Sequence, residues 1–81
     1  SLVELGIIKP GTNIFDQKKK INARIMADGS IKHNQAEGSI HKVAATILGA
    51  ESCNGWTYWH CDINGVSVPI DNLRQRLISN N

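Results

Sequence analysis

The chain has 81 residues and a formal net charge of +2. A chain of this length buries only about 60 to 65% of its unfolded surface, so it forms one small domain with one modest core and has no room for an enclosed catalytic cavity. No apolar stretch approaches the roughly 20 residues of a membrane span, and no segment resembles a signal peptide. We therefore expect a cytoplasmic location.

The first residues predict the end of a helix. Residues 2–5 (Leu-Val-Glu-Leu) read as the tail of a helix already under way, and the chain begins with Ser1 rather than Met. Lys9-Pro10-Gly11 terminates this apolar start, because proline forces the residue before it out of the helical region. We expect the chain to be a fragment of a longer protein.

A first β-hairpin follows. Residues 12–15 are predicted as a short strand, and residues 21–27 alternate between apolar and polar side chains, which is the period of a half-buried strand. An Asp-Gly pair then marks the turn. A three-residue loop, 27–29, with a glycine bulge sets Ile25 opposite Ile31, so that both reach the core; a two-residue loop would not.

This register has a consequence for charge. Arg24 then faces Lys32 across the strands, and Lys20 lies further along the same face. Like charges directly opposite each other are destabilising, so the pair suggests a polyanionic partner. The alternative is two long, solvated cations that splay apart.

The central helix is predicted over residues 39–48, between Gly38 and Gly49. Ser39 is placed to cap it and Gly49 to end it. One apolar stripe follows the helical period: Ile40, Val43, Ala44, Ile47 and Leu48.

The opposite face of this helix is predicted to carry His41, Lys42, Ala45 and Thr46. Free backbone N–H groups, the Ser39 hydroxyl and Lys42 make its N-terminus a ready anion site. The alternative is that Ser39 only caps the helix.

The second hairpin has a stronger turn signal, Asn64-Gly65. A two-residue loop there sets three pairs on one face, which we expect to be the core: Ile63 with Val66, Cys61 with Val68, and Trp59 with Ile70. The other face would carry Trp56, Tyr58, His60 and Asp62 as a partly exposed ladder. Another segment could cover that ladder, or it could be a stacking platform for unpaired bases.

A last helix is predicted from Asp71 or Pro69, with Leu73 and Leu77 inward and with Arg74 and Arg76 outward or along the domain edge. The fold class is therefore α+β. We expect a small single domain in which two β-hairpins form a mostly antiparallel sheet, with a central helix at about 39–48 and terminal helices.

The residues that could carry catalysis or a metal are sparse. Cys53 and Cys61 could pair, or could join His60 at a metal, but the spacing is not a zinc knuckle and two free thiols are the favoured interpretation. Asp62 and His60 have no serine placed to complete a triad, and no glycine-rich phosphate loop is present. We expect a binding module with no catalytic residue and no metal.

Five separated motifs carry a family resemblance over essentially the whole chain. They resemble the C-terminal domain of bacterial cell-cycle-regulated adenine-N6 DNA methyltransferases, one of the restriction-enzyme adenine-methylase-associated domains. The motifs are Gly11 after Lys9-Pro10, Ala-Asp-Gly-Ser-Ile at 27–31, Gly-Ser-Ile-His-Lys at 38–42, Asn-Gly-Trp-Thr-Tyr-Trp-His at 54–60 and Ile-Asp-Asn-Leu-Arg at 70–74.

The resemblance implies a parent enzyme that uses S-adenosylmethionine, carries a DPPY-type motif, acts on adenine in GANTC, and works as a homodimer that opens the duplex. Neither that motif nor the S-adenosylmethionine site is in this chain, so we expect no cofactor in it. The implied partners are DNA and the methyltransferase domain of the same protein.

The resemblance also implies DNA-binding roles for the four residues that match the family's positions: Ser39, Asn54, Trp56 and Arg74. The helix-terminus and cross-strand arguments add five further candidates: Lys42, His41, Arg24, Lys20 and Lys32. One alternative is a protein-interaction module whose aromatic ladder docks on the methyltransferase domain or a second subunit. Another is a metal- or redox-responsive domain built on Cys53, His60 and Cys61.

Overall fold

The computed structural model describes residues 8–79, with the side chains of residues 8–75. The helix predicted at residues 2–5 and the side chains of Leu77 and Arg76 lie outside this range. No helix within it is both long and apolar enough to cross a membrane.

Six short strands form one sheet in the order β4-β3-β2-β1-β5-β6, and every neighbouring pair is antiparallel. The α+β class and the two hairpins are confirmed, with β1 joining one hairpin to the other. The strands are β1 Asn13–Phe15, β2 Asn22–Ile25, β3 Ile31–His33, β4 Ala36–Gly38, β5 His60–Ile63 and β6 Val66–Pro69. The helices are α1 Ile40–Leu48, α2 Gly55–Tyr58 and α3 Ile70–Ser79.

The register predicted for the first hairpin is confirmed. Ile25 pairs with Ile31 and Arg24 pairs with Lys32. Met26 N donates to Ser30 O at 2.8 Å across the three-residue loop, and Gly29 has a φ of 87°, the left-handed conformation that the bulge requires.

Strand β4 was not predicted. A two-residue turn at Asn34 and Gln35 returns the chain from β3, so that His33 pairs with Ala36 and Lys32 with Glu37. Asn34 adopts a φ of 53°, which asparagine tolerates better than most residues. The turn has no glycine, so the sequence gives only a weak hairpin signal there.

The register of the second hairpin is also confirmed, with Ile63 opposite Val66 and Cys61 opposite Val68. Asn64 and Gly65 both have positive φ, as a type I′ turn requires. The prediction that this whole face is core is wrong at the tip, where Val66 is 60% exposed. Helices α2 and α3 adjoin the open end of the hairpin, so they leave its tip uncovered.

The aromatic ladder does not form, because residues 55–58 are a helical turn rather than a strand. Asn54 starts this turn: its carbonyl accepts from Tyr58 N at 3.1 Å. Tyr58 is half-buried and meets Trp59 edge to face, with ring centroids 4.9 Å apart. His60 is buried and pairs with Phe15 on the face of the sheet away from α1.

Helix α1 has the predicted caps at Ser39 and Gly49, and its buried stripe packs on the sheet. Two predictions on this helix are wrong. Leu48 is 56% exposed, and Ala45, expected on the outer face, is buried. Beyond Gly49 the chain turns back along the helix, with Ala50 N donating to Ala45 O at 2.9 Å, and residues 50–53 cover that side.

The two cysteines are free, and they differ in environment. Cys61 is buried in the core cluster, where burial raises the pKa of its thiol, with a smaller contribution from Asp62. Cys53 is half-buried. Because the thiolate is the reactive form, the two should differ in reactivity.

We therefore expect an alkylating reagent to modify Cys53 rapidly in the native protein and to reach Cys61 only when the domain opens. Mass spectrometry after timed labelling, with and without urea, measures both rates. In the Cys53→Ser variant the remaining thiol should react only as fast as the domain unfolds. Equal, rapid labelling of both thiols without denaturant would contradict this core.

Candidate nucleic-acid interface

Helix α1 begins at a capped N-terminus. Ser39 is extended, with φ −68° and ψ 161°, and its Oγ accepts from Lys42 N at 3.0 Å. The serine oxygen is thus used as a cap, while its hydroxyl hydrogen can still be donated outward. The methylene stem of Lys42 runs back over Gly38, with its Cδ 3.1 Å from where a Cβ of residue 38 would lie.

Trp59 fixes this helix end to the sheet. Its indole Nε1 donates to Ile40 O at 3.0 Å in the fully buried core. A buried indole N–H needs such a partner, and the first turn of α1 provides it.

Gly55 closes one side of the same helix end. Its N–H donates to His41 Nδ1 at 2.9 Å, so Nδ1 is the acceptor in this contact and Nε2 is the ring nitrogen left to donate. A Cβ on Gly55 would lie 2.6 Å from the carbonyl carbon of Ile40 and 2.8 Å from His41 N. Gly55 thus covers one side of the start of α1, and the predicted anion site stays a prediction for the other side of this helix end.

Asn54 caps the short helix α2. Its Oδ1 accepts from Trp56 N at 3.1 Å, and its carbonyl accepts from the Thr57 hydroxyl at 3.1 Å. The residue is exposed, so the amide NH2 of its side chain faces solvent as a donor. Asn54 thus orients Trp56 and also presents a polar group beside it.

Trp56 is half-buried, packs against the core, and stacks with Arg74 from α3. The guanidinium carbon of Arg74 lies 4.4 Å from the centroid of the indole, within the range of a cation–π contact. Arg74 Nη2 also donates to Asp71, one turn earlier in the helix. Arg74 therefore does not point freely outward, and it occupies one face of the predicted stacking residue.

Arg74 has one further feature. Its Nε is buried and makes no hydrogen bond within the described part of the chain. The contact with Asp71 uses Nη2 alone, so the outer edge of the guanidinium keeps donors for another acceptor.

Six of the nine predicted residues therefore lie in α1, α2 or α3 or at their caps, and α2 contacts both of the other helices. We call this group the helical surface: Ser39, His41, Lys42, Asn54, Trp56 and Arg74. The bonds from Trp59 and Gly55 join α2 to the start of α1, and the bond from Ile70 N to Trp59 O joins α3 to them. The sequence analysis named these six residues as candidates, but it did not predict the packing of Gly55 or the contact between Arg74 and Trp56.

The other three lie on the opposite side of the sheet, which we call the outer sheet face: Lys20, Arg24 and Lys32. Arg24 and Lys32 are exposed and alternate along their strands with the buried residues that face α1. The structure therefore separates the predicted DNA-binding residues into two surfaces.

A groove between α1 and residues 50–53 was missed by the sequence analysis. It has a volume of about 390 Å³ and borders the helical surface at Ser39, His41 and Lys42. Its far wall carries Glu51, so its charge is mixed. The signal in the sequence was Gly49, whose left-handed conformation turns the chain back beside the helix.

The part of the chain that the structure describes contains no candidate metal cluster. No three His, Cys, Asp or Glu side chains lie close enough to hold a metal. Asp62 forms an exposed salt bridge with Lys19 at 3.3 Å, and His60 Nδ1 lies 3.1 Å from Tyr58 O. These side chains are engaged in structural contacts.

Comparison with known proteins gives two findings. The chain matches the family described as Restriction Enzyme Adenine Methylase Associated, or RAMA, over residues 1–81. It is also 31% identical over 74 residues to the Type II methyltransferase M.HinfI of Haemophilus influenzae. That alignment covers 91% of this chain and 21% of the relative, so the chain spans about a fifth of that protein.

The packing of Gly55 yields a stability prediction. Gly55→Ala places a methyl group against backbone atoms that cannot move without displacing α1, and we expect a loss of about 3 kcal/mol or more. Urea unfolding measures this loss in the free energy of unfolding, provided that the slope of free energy against urea concentration is the same in the variant and the unaltered chain. Gly49→Ala is the matched control: nothing lies within 4 Å of its added Cβ, and only the left-handed strain, about 1–2 kcal/mol, applies. A Gly55→Ala loss no larger than the control's would contradict the close approach.

Proposed function

The chain belongs to the RAMA family, and we propose that it is the DNA-binding module of an adenine-N6 DNA methyltransferase. In this proposal the methyl-transfer chemistry, with S-adenosylmethionine as donor, belongs to other parts of the parent protein. The parent acts on adenine in GANTC, is cell-cycle-regulated, and works as a homodimer that opens the duplex at its target. The module described here holds the opened DNA.

The observation that carries the proposal is the stack of Arg74 on Trp56 beside two capping residues with spare donors. The guanidinium carbon of Arg74 lies 4.4 Å from the centroid of the Trp56 ring, and Asn54 bonds the backbone of the same tryptophan. Ser39 caps α1, the helix against which Gly55 of the same turn packs. Donors to phosphate and an aromatic platform are the two parts of a single-strand binding surface.

Each group then has a role in the proposal. The Ser39 hydroxyl, the Lys42 ammonium and the Nε2–H of His41 donate to phosphate oxygens. Asn54 bonds an exposed base edge or a sugar oxygen. Trp56 and Arg74 act together, because a base stacks on the remaining surface of the pair while the guanidinium donates to the adjacent phosphate.

The rival proposal, docking on the methyltransferase domain or a second subunit, was based on a partly exposed aromatic ladder. That ladder does not form, because Trp56 and Tyr58 lie in a helical turn and His60 is buried. The donors beside Trp56, rather than a ladder, therefore favour DNA binding in this proposal.

Replacement of Arg74 tests the proposal. We expect Arg74→Gln to weaken DNA binding by about 1–3 kcal/mol, because it removes a charged hydrogen bond and half of the stack. Arg74→Lys should recover the charge but not the planar stack, and so should restore only part of the affinity. Fluorescence anisotropy of a labelled GANTC duplex, the matching single strand and a scrambled duplex, each at several salt concentrations, measures both variants.

Lys18→Gln is the matched control for charge, because Lys18 is exposed and is not among the residues of either surface. It should bind almost as the unaltered chain does. Arg74→Gln must first be shown to unfold at a similar urea concentration. If a folded Arg74→Gln variant binds each of the three DNA probes as tightly as the unaltered chain does, the DNA-binding role of the helical surface is overturned and docking on a protein is favoured.

A further inference from the structure

The outer sheet face carries a cationic depression of its own. Arg24 and Lys32 are directly opposite each other in the strand register, and Lys20 lines the same depression from the turn before β2. All three side chains are exposed. Two like charges in a cross-strand pair weaken the sheet, so a bound anion would relieve a cost that the isolated domain bears.

The turn that presents Lys20 is fixed rather than loose. Asp16 Oδ1 accepts from Lys20 N at 2.7 Å and from Ile21 N at 2.9 Å. The hydrogen bond from Ile21 N lowers the pKa of Asp16, with burial opposing it and Lys20 N adding to it. The carboxylate therefore holds the backbone of this turn and aligns Lys20 with the strand that carries Arg24.

Neighbouring acids reduce the positive charge of this face only in part. Glu37 pairs with Lys32 from β4 on the side away from Arg24. Asp62, further along the sheet, is held by Lys19, which also lies over the Phe15 ring at 4.8 Å. Two acids, Glu37 beside Lys32 and Asp16 beside Lys20, against three cations still leave the depression positive.

The lining indicates the class of ligand. Besides the cations, the depression is lined by the exposed amides Asn13 and Asn22. Arginine, lysine and asparagine side chains are the donors that bond phosphate and sugar oxygens in nucleic-acid complexes. An acidic polypeptide would offer carboxylates to the same donors, and competition with polyglutamate distinguishes it from nucleic acid.

The position of the depression determines what it can contact. Arg24 and Lys32 point away from α1, whereas the helical surface lies on the side of the sheet that the helices cover. A straight nucleic-acid segment that lies along one side of the domain cannot reach the other. One straight segment therefore cannot contact both surfaces at once.

We propose that the outer sheet face is a second phosphodiester-binding surface, so that one domain holds two nucleic-acid segments at once, one on each side of its sheet. The proposal rests on the proposed DNA-binding function for the class of its ligand. The two segments are either the separated strands of one duplex or two different duplexes, and both present the same backbone chemistry.

The first test measures affinity. We expect Arg24→Gln/Lys32→Gln to weaken binding to a short labelled duplex about five- to tenfold at low salt, and to reduce the slope of log affinity against log salt by about 2, near one per lost phosphate contact. Lys9→Gln/Lys18→Gln removes the same charge elsewhere and should leave the slope almost unchanged. Glu37→Gln, which removes the nearby acid, should tighten binding.

The surfaces are separated by combining variants. In an Arg74→Gln background the remaining binding should be lost on adding Arg24→Gln/Lys32→Gln. If Arg74→Gln alone has no effect while the sheet variant abolishes binding, the helical surface fails as the DNA site and the two-segment proposal fails with it. If the sheet variant matches its charge control, only the two-segment proposal is overturned.

The second test detects bridging. Two 12-nucleotide probes, one labelled with a donor fluorophore and one with an acceptor, are mixed with the domain as single strands and, separately, as duplexes. We expect energy transfer that disappears in either surface variant and remains in the Lys9→Gln/Lys18→Gln control. The probe form that gives transfer identifies the source of the segments.

Two results would overturn the proposal here. Transfer that survives Arg24→Gln/Lys32→Gln would show that two copies of the domain bridge the probes through the helical surface alone. Displacement of DNA from the Arg74→Gln variant by polyglutamate as readily as by unlabelled DNA of equal charge would assign the outer sheet face to an acidic protein.

Discussion

The arrangement of the domain depends on the hydrogen bonds of one residue, Trp59. It is the largest fully buried side chain, and each of its polar groups bonds a different helix. Its Nε1 donates to Ile40 O at the start of α1, its N–H donates to Gly55 O in α2, and its carbonyl accepts from Ile70 N at the start of α3. A small domain buries too little apolar surface to position three helices by packing alone, and these directional bonds in the dry core supply what the packing lacks.

This dependence explains why Gly55 has to be small. Once Trp59 holds the first turn of α1 and the end of α2 together, the backbones of the two helices approach so closely that no Cβ fits between them. The same approach brings the Gly55 N–H to His41 Nδ1, so that Nε2 is the ring nitrogen left to donate. The chemistry of the helical surface, including which nitrogen of His41 can donate outward, thus follows from a packing constraint in the core.

Local sequence patterns predicted the strand registers and the helix caps correctly. They did not predict features that depend on contacts between distant parts of the chain. Both hairpin registers followed from turn residues and alternation, and the caps of α1 followed from Ser39 and Gly49. The period-2 reading of residues 56–62 was wrong at its start, because Asn54 offers the backbone a helical cap that competes with strand pairing. Ala45 was misplaced because the chain returns beside α1, which no helical period reveals. The Arg74–Trp56 stack joins residues 18 positions apart, so only the fold could show it.

Several residues of the proposed interface also stabilise the fold, and this affects how their variants are interpreted. Ser39 and Asn54 each use a side-chain oxygen as a helix cap, and removal of such a cap costs about 1 kcal/mol of stability. Loss of binding in an alanine variant at either position would therefore mix a lost contact with a misplaced helix. The cations of the outer sheet face are better probes, because their side chains are exposed and form no helix cap, whereas Arg74 also stacks on Trp56 and pairs with Asp71. The two proposed surfaces thus differ in kind: one shares its residues with contacts that order the helices, and the other consists of exposed side chains on a sheet.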